Sequence, residues 1–163
     1  MSEPLAPKPV SASRVHKTEH VLPSDTNALG TVFGGTVFSW IDIAAAIAAQ
    51  RHARRVVVTA SIDALDFVAP VRQGHIVELR AAVNYAGRTS MEVGVRVDSE
   101  DPLTGERAHT ASAWLTFVAL DEHGQPTPIP PVLPETDEDR RRYSEAQERR
   151  RLRAERRGRK PAA

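Results

Sequence analysis

The chain has 163 residues, no cysteine, 40% hydrophobic residues, and 22 lysines and arginines against 21 aspartates and glutamates. This length is typical of a single domain that buries about two thirds of its unfolded surface. The near-neutral net charge argues against a folded domain that binds nucleic acids non-specifically. The missing cysteines exclude disulfide and thiolate chemistry and fit a cytoplasmic location, which we expect.

The amino terminus is predicted to be a disordered lead-in over residues 1–12, because this stretch is rich in proline. Residues 13–134 are predicted to form the folded domain, and residues 135–163 an Arg-rich tail that is helical or disordered. The folded domain begins with a candidate strand over residues 14–22. The chain therefore divides into one domain flanked by two segments of different composition.

The most informative stretch is a helix predicted over residues 36–49, where one carboxylate, Asp42, interrupts an apolar run. A helix that is apolar on nearly every side is typically buried. The run is shorter than the roughly 20 residues of a membrane span, so no membrane partner is expected. A buried acid is costly unless it is compensated. Asp42 is therefore either a satisfied structural acid or a reactive group in a cleft, and we favour the second interpretation.

Two glycines, Gly34 and Gly35, directly precede the predicted helix and support a role for Asp42 in a cleft. The N–H groups at a helix start have no intrahelical partner and suit a developing oxyanion, although an ordinary turn is the alternative. In the loop before them, Asn27 offers a neutral donor and acceptor, with an Asx-turn as the alternative.

The spacing of Gly35 and Asp42 constrains how a site can be assembled. Seven residues of helix separate the two by about 10 Å along the axis, although they share a face. One carbonyl cannot contact both groups within one helix. Either a water and a long substrate span the gap, or a second copy of the helix completes the site at a dimer interface.

Four strands are predicted after the helix, over residues 56–68, 75–85, 91–98 and 107–120. The second and third alternate apolar and polar side chains as an antiparallel hairpin does. In the first, Asp63 and Asp66 are attributed to a bulge or a sheet edge rather than to a paired-carboxylate site. This order of elements predicts an α+β fold in which an antiparallel sheet wraps around one long central helix.

The carboxyl-terminal part of the chain differs in composition from the body. A proline-rich segment that ends at Pro134 is predicted to be extended and to terminate the domain. Residues 135–163 hold 11 of the 22 lysines and arginines but 7 of the 21 acidic residues. A solvated, partly frayed helix is predicted over residues 137–157, with a polyanion-binding arm as the alternative.

Taken together, these motifs resemble the acyl-CoA thioesterases of the hotdog superfamily, in their single-domain bacterial type. The resemblance covers roughly residues 15–150. It rests on Asp25, Thr26, Asn27, Gly30, Phe33, Gly34, Gly35, Asp42, residues 57–60, FVAPVRQG at 67–74, GRTSMEV at 87–93, ASAWLTFVALDEHGQP at 111–126 and PIPPVLPET at 128–136. It implies the hotdog fold and a homodimer with a continuous sheet and shared active sites, with a trimer of dimers as the expected higher assembly.

The resemblance also implies a reaction, the hydrolysis of acyl-CoA to free CoA and a carboxylic acid without a metal or another cofactor. It implies that Asp42 is the general base or the nucleophile and that Asn27 positions water or the thioester from the other subunit. The amides of Gly34 and Gly35 are expected to form the oxyanion hole. The residues expected to bind CoA are Val58, Thr59, Ala60, Arg88, Thr89 and Ser90.

Two other functions remain open from the sequence. The chain is alternatively a hotdog domain that binds acyl-CoA as a sensor without hydrolysing it, which the presence of both Asn27 and Asp42 disfavours. The third alternative is a polyanion-binding protein that acts through its Arg-rich tail. Nucleic acid is not expected as a partner, because acidic residues are interleaved with the arginines of the tail.

Overall fold

A computed structural model describes residues 3–159, which form a five-stranded antiparallel sheet with one helix on each face. The first two residues of the predicted lead-in and the last four of the predicted tail lie outside the described residues. The elements are β1 (Lys8–Pro9), β2 (Val15–His20), α1 (Gly34–Ala53), β3 (Val56–Phe67), β4 (Ile76–Ala86), β5 (Ser90–Glu100), β6 (Arg107–Leu120), β7 (Val132–Leu133) and α2 (Asp137–Gly158).

The order of strands in the main sheet is β2-β4-β5-β6-β3, with every neighbouring pair antiparallel. β1 and β7 form a separate parallel pair. The predicted α+β arrangement of one sheet around one long helix is therefore confirmed. No helix within residues 3–159 is long and apolar enough to cross a membrane.

The core lies between α1 and the sheet face that α1 covers. Every second residue of the central strands points to this face, as the two-residue period of a strand requires. The buried residues of α1 that meet them are Val37, Trp40, Ile41, Ala44, Ala45, Ala48 and Ala49. The four alanines among them have small side chains, which let the helix lie close to the sheet.

The central helix differs from the prediction in its start and in its burial. It begins at Gly34, so that both glycines form its first turn rather than precede it. It is also not buried on every side, since Gly35 is exposed and Ile43 is 47% exposed. The physical reason is that the sheet of one chain covers only one face of the helix.

β3 is an edge strand that contains two bulges. Against β6, Thr59 pairs with Phe117, Ser61 with Thr116, Ile62 with Leu115, and Ala64 with Trp114. Ala60 and Asp63 are thus the extra residues of the two bulges. This confirms the interpretation that Asp63 marks a bulge at a sheet edge. The other edge of β3 has no strand partner in residues 3–159 and carries exposed apolar side chains at Val56 and Val58.

The predicted disordered lead-in is wrong for residues 8–12, which are ordered against the body. β1 pairs with β7, and a 3₁₀ helix (Val10–Ser13) follows it. The hydroxyl of Ser13 is buried; it accepts a hydrogen bond from the N–H of Val83 at 2.9 Å and donates one to the carbonyl of Val10 at 3.0 Å. The composition gave no sign of this, because the partner strand comes from the opposite end of the chain.

The proline-rich segment is extended as predicted, but the packed structure continues beyond it. The N–H of Thr127 donates to the carbonyl of Ala119 at 2.9 Å, and that of Ile129 to the carbonyl of Arg88 at 2.9 Å. Ile129 is 5% exposed. The segment therefore runs along the end of the sheet and connects β6 to α2.

The Arg-rich tail forms α2, and this helix is docked rather than solvated and frayed. Arg149 binds the buried carboxylate of Glu92 at 2.7 Å and lies over the ring of Trp114 at 4.7 Å from its centroid. Tyr143 packs edge-on against Tyr85. Glu92 and Trp114 lie on the sheet face opposite α1, so α2 covers that second face.

Candidate active site

Asp42 lies at the border between the buried and exposed faces of α1 and is half-buried, so it is less enclosed than the sequence predicted. Its Oδ1 accepts a hydrogen bond from the hydroxyl of Thr59, on β3, at 2.8 Å. This is the only hydrogen bond to the carboxylate among the described residues. One oxygen is thus held by the protein, and Oδ2 stays open to a ligand or to water.

The contact of Thr59 with Asp42 was missed by the sequence analysis, which placed Thr59 only among the CoA-binding residues. Thr59 pairs with the buried Phe117, and directly paired residues of an antiparallel sheet share a face. That face is the one covered by α1. The sequence does not show which face the Thr59 side chain points to, because its direction depends on the bulge at Ala60.

The first turn of α1 presents two backbone amides to solvent. The N–H groups of Thr36 and Val37 both donate to the carbonyl of Phe33, at 3.0 and 3.2 Å. Those of Gly34 and Gly35 have no acceptor within residues 3–159, and both glycines are exposed. Because a helix amino terminus carries partial positive charge, these amides suit a developing anion.

Asn27 forms the Asx-turn that the sequence left as the alternative to a role in catalysis. Its Oδ1 accepts from the N–H of Leu29 at 2.9 Å, and its Nδ2 donates to the hydroxyl of Thr31 at 3.0 Å. No hydrogen bond joins Asn27 to Asp42 among the described residues. The amide nitrogen has two hydrogens and uses one of them here, so a donor remains for a ligand.

The residues expected to bind CoA lie at one end of the sheet. Ser90 pairs with Val118, and Val118 pairs on its other side with Val58. Since neighbouring strands lie about 4.8 Å apart, the backbones of Ser90 and Val58 are about 10 Å apart. The structure thus brings the β4–β5 turn and the start of β3 to the same end, close to Thr59.

The β4–β5 turn is held rigidly by backbone hydrogen bonds. The N–H of Gly87 donates to the carbonyl of Ser90 at 2.7 Å, and the N–H of Ala119 donates to the carbonyl of Thr89 at 3.0 Å. The guanidinium of Arg88 is exposed and has no acidic partner in the part of the chain that the structure describes. An unpaired arginine on a fixed turn is suited to binding phosphate.

Asp63, the second acid considered in this region, lies on the opposite face of the sheet. Its carboxylate meets Arg153 of α2 at 3.0 Å. Burial raises the pKa of Asp63 above its usual value, and the positive charge of Arg153 opposes this shift. Asp63 is therefore held by α2, on the face of the sheet away from Asp42.

The chain is similar in sequence to known proteins. Residues 29–106 match the thioesterase superfamily. The chain is 50% identical over 127 residues to an uncharacterized acyl-CoA thioester hydrolase, YkhA, of Bacillus subtilis, and the match covers 78% of this chain and 74% of that protein.

Solved structures are similar along nearly the whole chain. A hexameric acyl-CoA thioesterase superposes with a TM-score of 0.92 at 48% identity, over 96% of this chain and all of that one. An acyl-CoA hydrolase from Staphylococcus aureus, solved in complex with butyryl coenzyme A, coenzyme A and coenzyme A disulfide, gives 0.87 at 43% identity, over 92% of both chains. Variants of that hydrolase with an asparagine, an aspartate or a threonine replaced by alanine are also similar. The predicted hotdog fold is confirmed.

Proposed function

The chain belongs to the acyl-CoA thioester hydrolases of the thioesterase superfamily, and we propose that Asp42 is the carboxylate that carries out the hydrolysis. The observation that carries this proposal is the contact of Asp42 with Thr59. The hydroxyl holds Oδ1 at 2.8 Å, and Oδ2 accepts no hydrogen bond from the described residues. A carboxylate fixed by one oxygen and open at the other suits a general base or a nucleophile.

The chemistry needs a base and a donor, and in this proposal no metal. As a general base, Asp42 takes a proton from water while the water oxygen attacks the thioester carbonyl carbon. As a nucleophile, Oδ2 attacks the same carbon and gives a mixed anhydride, which water then hydrolyses. In both routes the carbon–sulfur bond breaks, the CoA thiolate leaves and takes up a proton, and the acyl group becomes a carboxylate.

The oxyanion that forms on the carbonyl oxygen is assigned to the amides of Gly34 and Gly35. These amides lie about 10 Å along the helix from Asp42 of the same chain. The amides and the carboxylate that act on one carbonyl therefore come from two copies of α1. The exposed face of α1, which carries Gly35 and Ile43, leaves space for this second copy.

The edge of β3 that has no strand partner in residues 3–159 supports a homodimer with a continuous sheet. An unpaired strand edge with exposed apolar side chains such as Val56 and Val58 is a ready site for pairing. Such a dimer holds two sites, in each of which Asn27 of one subunit and Asp42 of the other act on the same thioester. A trimer of dimers, consistent with the hexameric neighbour, is the proposed higher assembly.

The CoA moiety is assigned to the end of the sheet where the β4–β5 turn meets the start of β3. Arg88 supplies positive charge for phosphate, and the hydroxyls of Thr89 and Ser90 supply further donors. Val58 and Ala60 flank Thr59 and are assigned to the pantetheine groove. This places the acyl thioester next to Asp42.

The polyanion-binding alternative is disfavoured by the contacts of α2. Six of its arginines pair with acidic side chains, namely Arg140, Arg141, Arg142, Arg149, Arg151 and Arg153. Arg149 and Arg153 point to the sheet rather than to solvent. An arm that bound nucleic acid would have to exchange these contacts for phosphates.

The proposal is tested by the release of free CoA thiol from acyl-CoAs of increasing chain length. We expect turnover by the intact protein and a fall in kcat of about 10² to 10⁴ in Asp42→Asn. Asp66→Asn is the matched control, because Asp66 is an exposed acid of β3. Saturable binding of CoA without turnover by the intact protein would instead support the sensor alternative.

A further inference from the structure

The side chains of β3 change face at each bulge. Thr59, Ile62 and Leu65 pair with the buried core residues Phe117, Leu115 and Ala113, on the α1 side. Ser61 and Ala64 pair with Thr116 and Trp114, on the α2 side. In a regular strand, residues two apart share a face. Thr59 and Ser61 face opposite sides because the bulged Ala60 lies between them.

The bulge at Ala60 is therefore what directs Thr59 to Asp42. A one-residue change of register that removed the bulge would turn Thr59 to the α2 face if the rest of β3 kept its pairing. β3 is an edge strand, so β6 is the only strand that pairs with it within the described residues. The geometry of the site thus depends on whatever fixes the bulge.

Arg153 of α2 contacts both strands at this point. Its Nη1 donates to the hydroxyl of Thr116, to Oδ2 of Asp63 at 3.0 Å and, more weakly, to the hydroxyl of Ser61 at 3.5 Å. Thr116 is the β6 partner of Ser61. The side chains of Arg153 and Asp63 are both 17% exposed, so the ion pair is largely shielded from water and is stronger than a surface pair.

We propose that Arg153 is a positioning residue for the active site: it fixes the bulge from the α2 face and so keeps Thr59 turned to Asp42. The inference rests on the proposed roles of Asp42 and Thr59. Arg153 lies beyond residues 29–106, the part that matches the superfamily. The carboxyl-terminal helix thus contributes to the catalytic geometry without touching the substrate.

The first test compares thioesterase kinetics of Arg153→Ala, Arg153→Lys and the control Arg151→Ala. Arg151 lies two residues away and pairs with Glu148 and Glu155 of its own helix. We expect Arg153→Ala to lower kcat about 10-fold with KM within about 2-fold, as for loss of a hydrogen bond to a charged group. Arg153→Lys keeps the charge and should recover part of kcat, and Arg151→Ala should match the intact protein.

The second test separates positioning from general stability. If Arg153 acts through Thr59, the kcat of the double variant Thr59→Val/Arg153→Ala should lie within about 2-fold of that of Thr59→Val alone. Effects that multiply instead would overturn the inference. So would an equal loss of kcat in Arg149→Ala, which weakens the docking of α2 and leaves Arg153 in place.

The two proposals fail in different ways. Full activity of Arg153→Ala, with strong losses in Asp42→Asn and Thr59→Val, overturns the role of Arg153 and leaves the proposed function intact. Full activity of Asp42→Asn overturns the proposed function itself. If Arg153→Ala does not fold, Asp63→Asn tests the same contact from the strand with an almost unchanged side-chain shape, and kcat should fall with KM unchanged.

Discussion

The hydroxyl of Thr59 donates a 2.8 Å hydrogen bond to Oδ1 of Asp42 and so joins the edge strand to the central helix. We expect Thr59→Val, which keeps the shape and removes the donor, to lower kcat about 10-fold, because the carboxylate loses its orientation. Thr59→Ser keeps the hydroxyl and should retain most of the activity. Thiol release under saturating acyl-CoA measures both; equal rates for Val and Ser would contradict the role of the hydrogen bond.

The strands could be predicted well because their signal is local. Residues 107–120 were predicted as a strand and form β6 with the same bounds, and the alternation in β4 and β5 identified the hairpin. The proposed site residues Gly34, Gly35 and Asp42 were selected from a local signal too, and their roles stay predictions. A carboxylate inside an apolar helix stands out in the sequence.

The features that the sequence missed depend on contacts between distant residues. Arg149 and Glu92 are 57 residues apart in the sequence. Nothing in the composition of the tail indicates that one of its arginines binds a buried acid of the sheet. The bulge at Ala60 has no local signal either, so the contact of Thr59 with Asp42 was not foreseen. The cytoplasmic location and the absence of a cofactor stay predictions.

A second prediction concerns the sharing of the site between subunits. Asn27→Ala and Asp42→Ala should each be nearly inactive as a pure oligomer. In a mixed dimer of the two variants, one site loses both groups and the other keeps both, if Asn27 and Asp42 come from different subunits. We therefore expect each mixed dimer to regain up to about half of the activity of an intact dimer. Co-expressed, doubly tagged oligomers measure this, and mass action gives the fraction of mixed dimers among them. Mixed oligomers without activity would place both groups in the same subunit.

A third prediction concerns Arg88 and the phosphates of CoA. Arg88→Ala should raise KM for acyl-CoA about 10-fold with little change in kcat, since a hydrogen bond to a charged group contributes about 1.5 to 3 kcal/mol. An acyl-pantetheine, which lacks the nucleotide, should be hydrolysed equally well by both proteins. A loss of activity with acyl-pantetheine would show that Arg88 supports the turn instead of the nucleotide.

A fourth prediction concerns the stability of the fold at acid pH. His52 is fully buried on α1; its Nε2 lies 2.7 Å from the carbonyl of Pro130, and its Nδ1 has no partner among the described residues. Burial lowers the pKa of His52 below its ordinary value. The hydrogen bond to Pro130 raises this pKa, and the positive charge of Lys8 lowers it further, with burial as the largest effect.

The unfolded chain therefore takes up a proton on His52 at a higher pH than the folded protein does. Stability is retained above about pH 6.5 and should fall by up to about 1.4 kcal/mol per pH unit below it. Unfolding midpoints between pH 7.5 and 5 should decline less steeply in His52→Gln than in the intact protein or in His123→Gln, which changes an exposed histidine; equal slopes would rule out His52 as the cause.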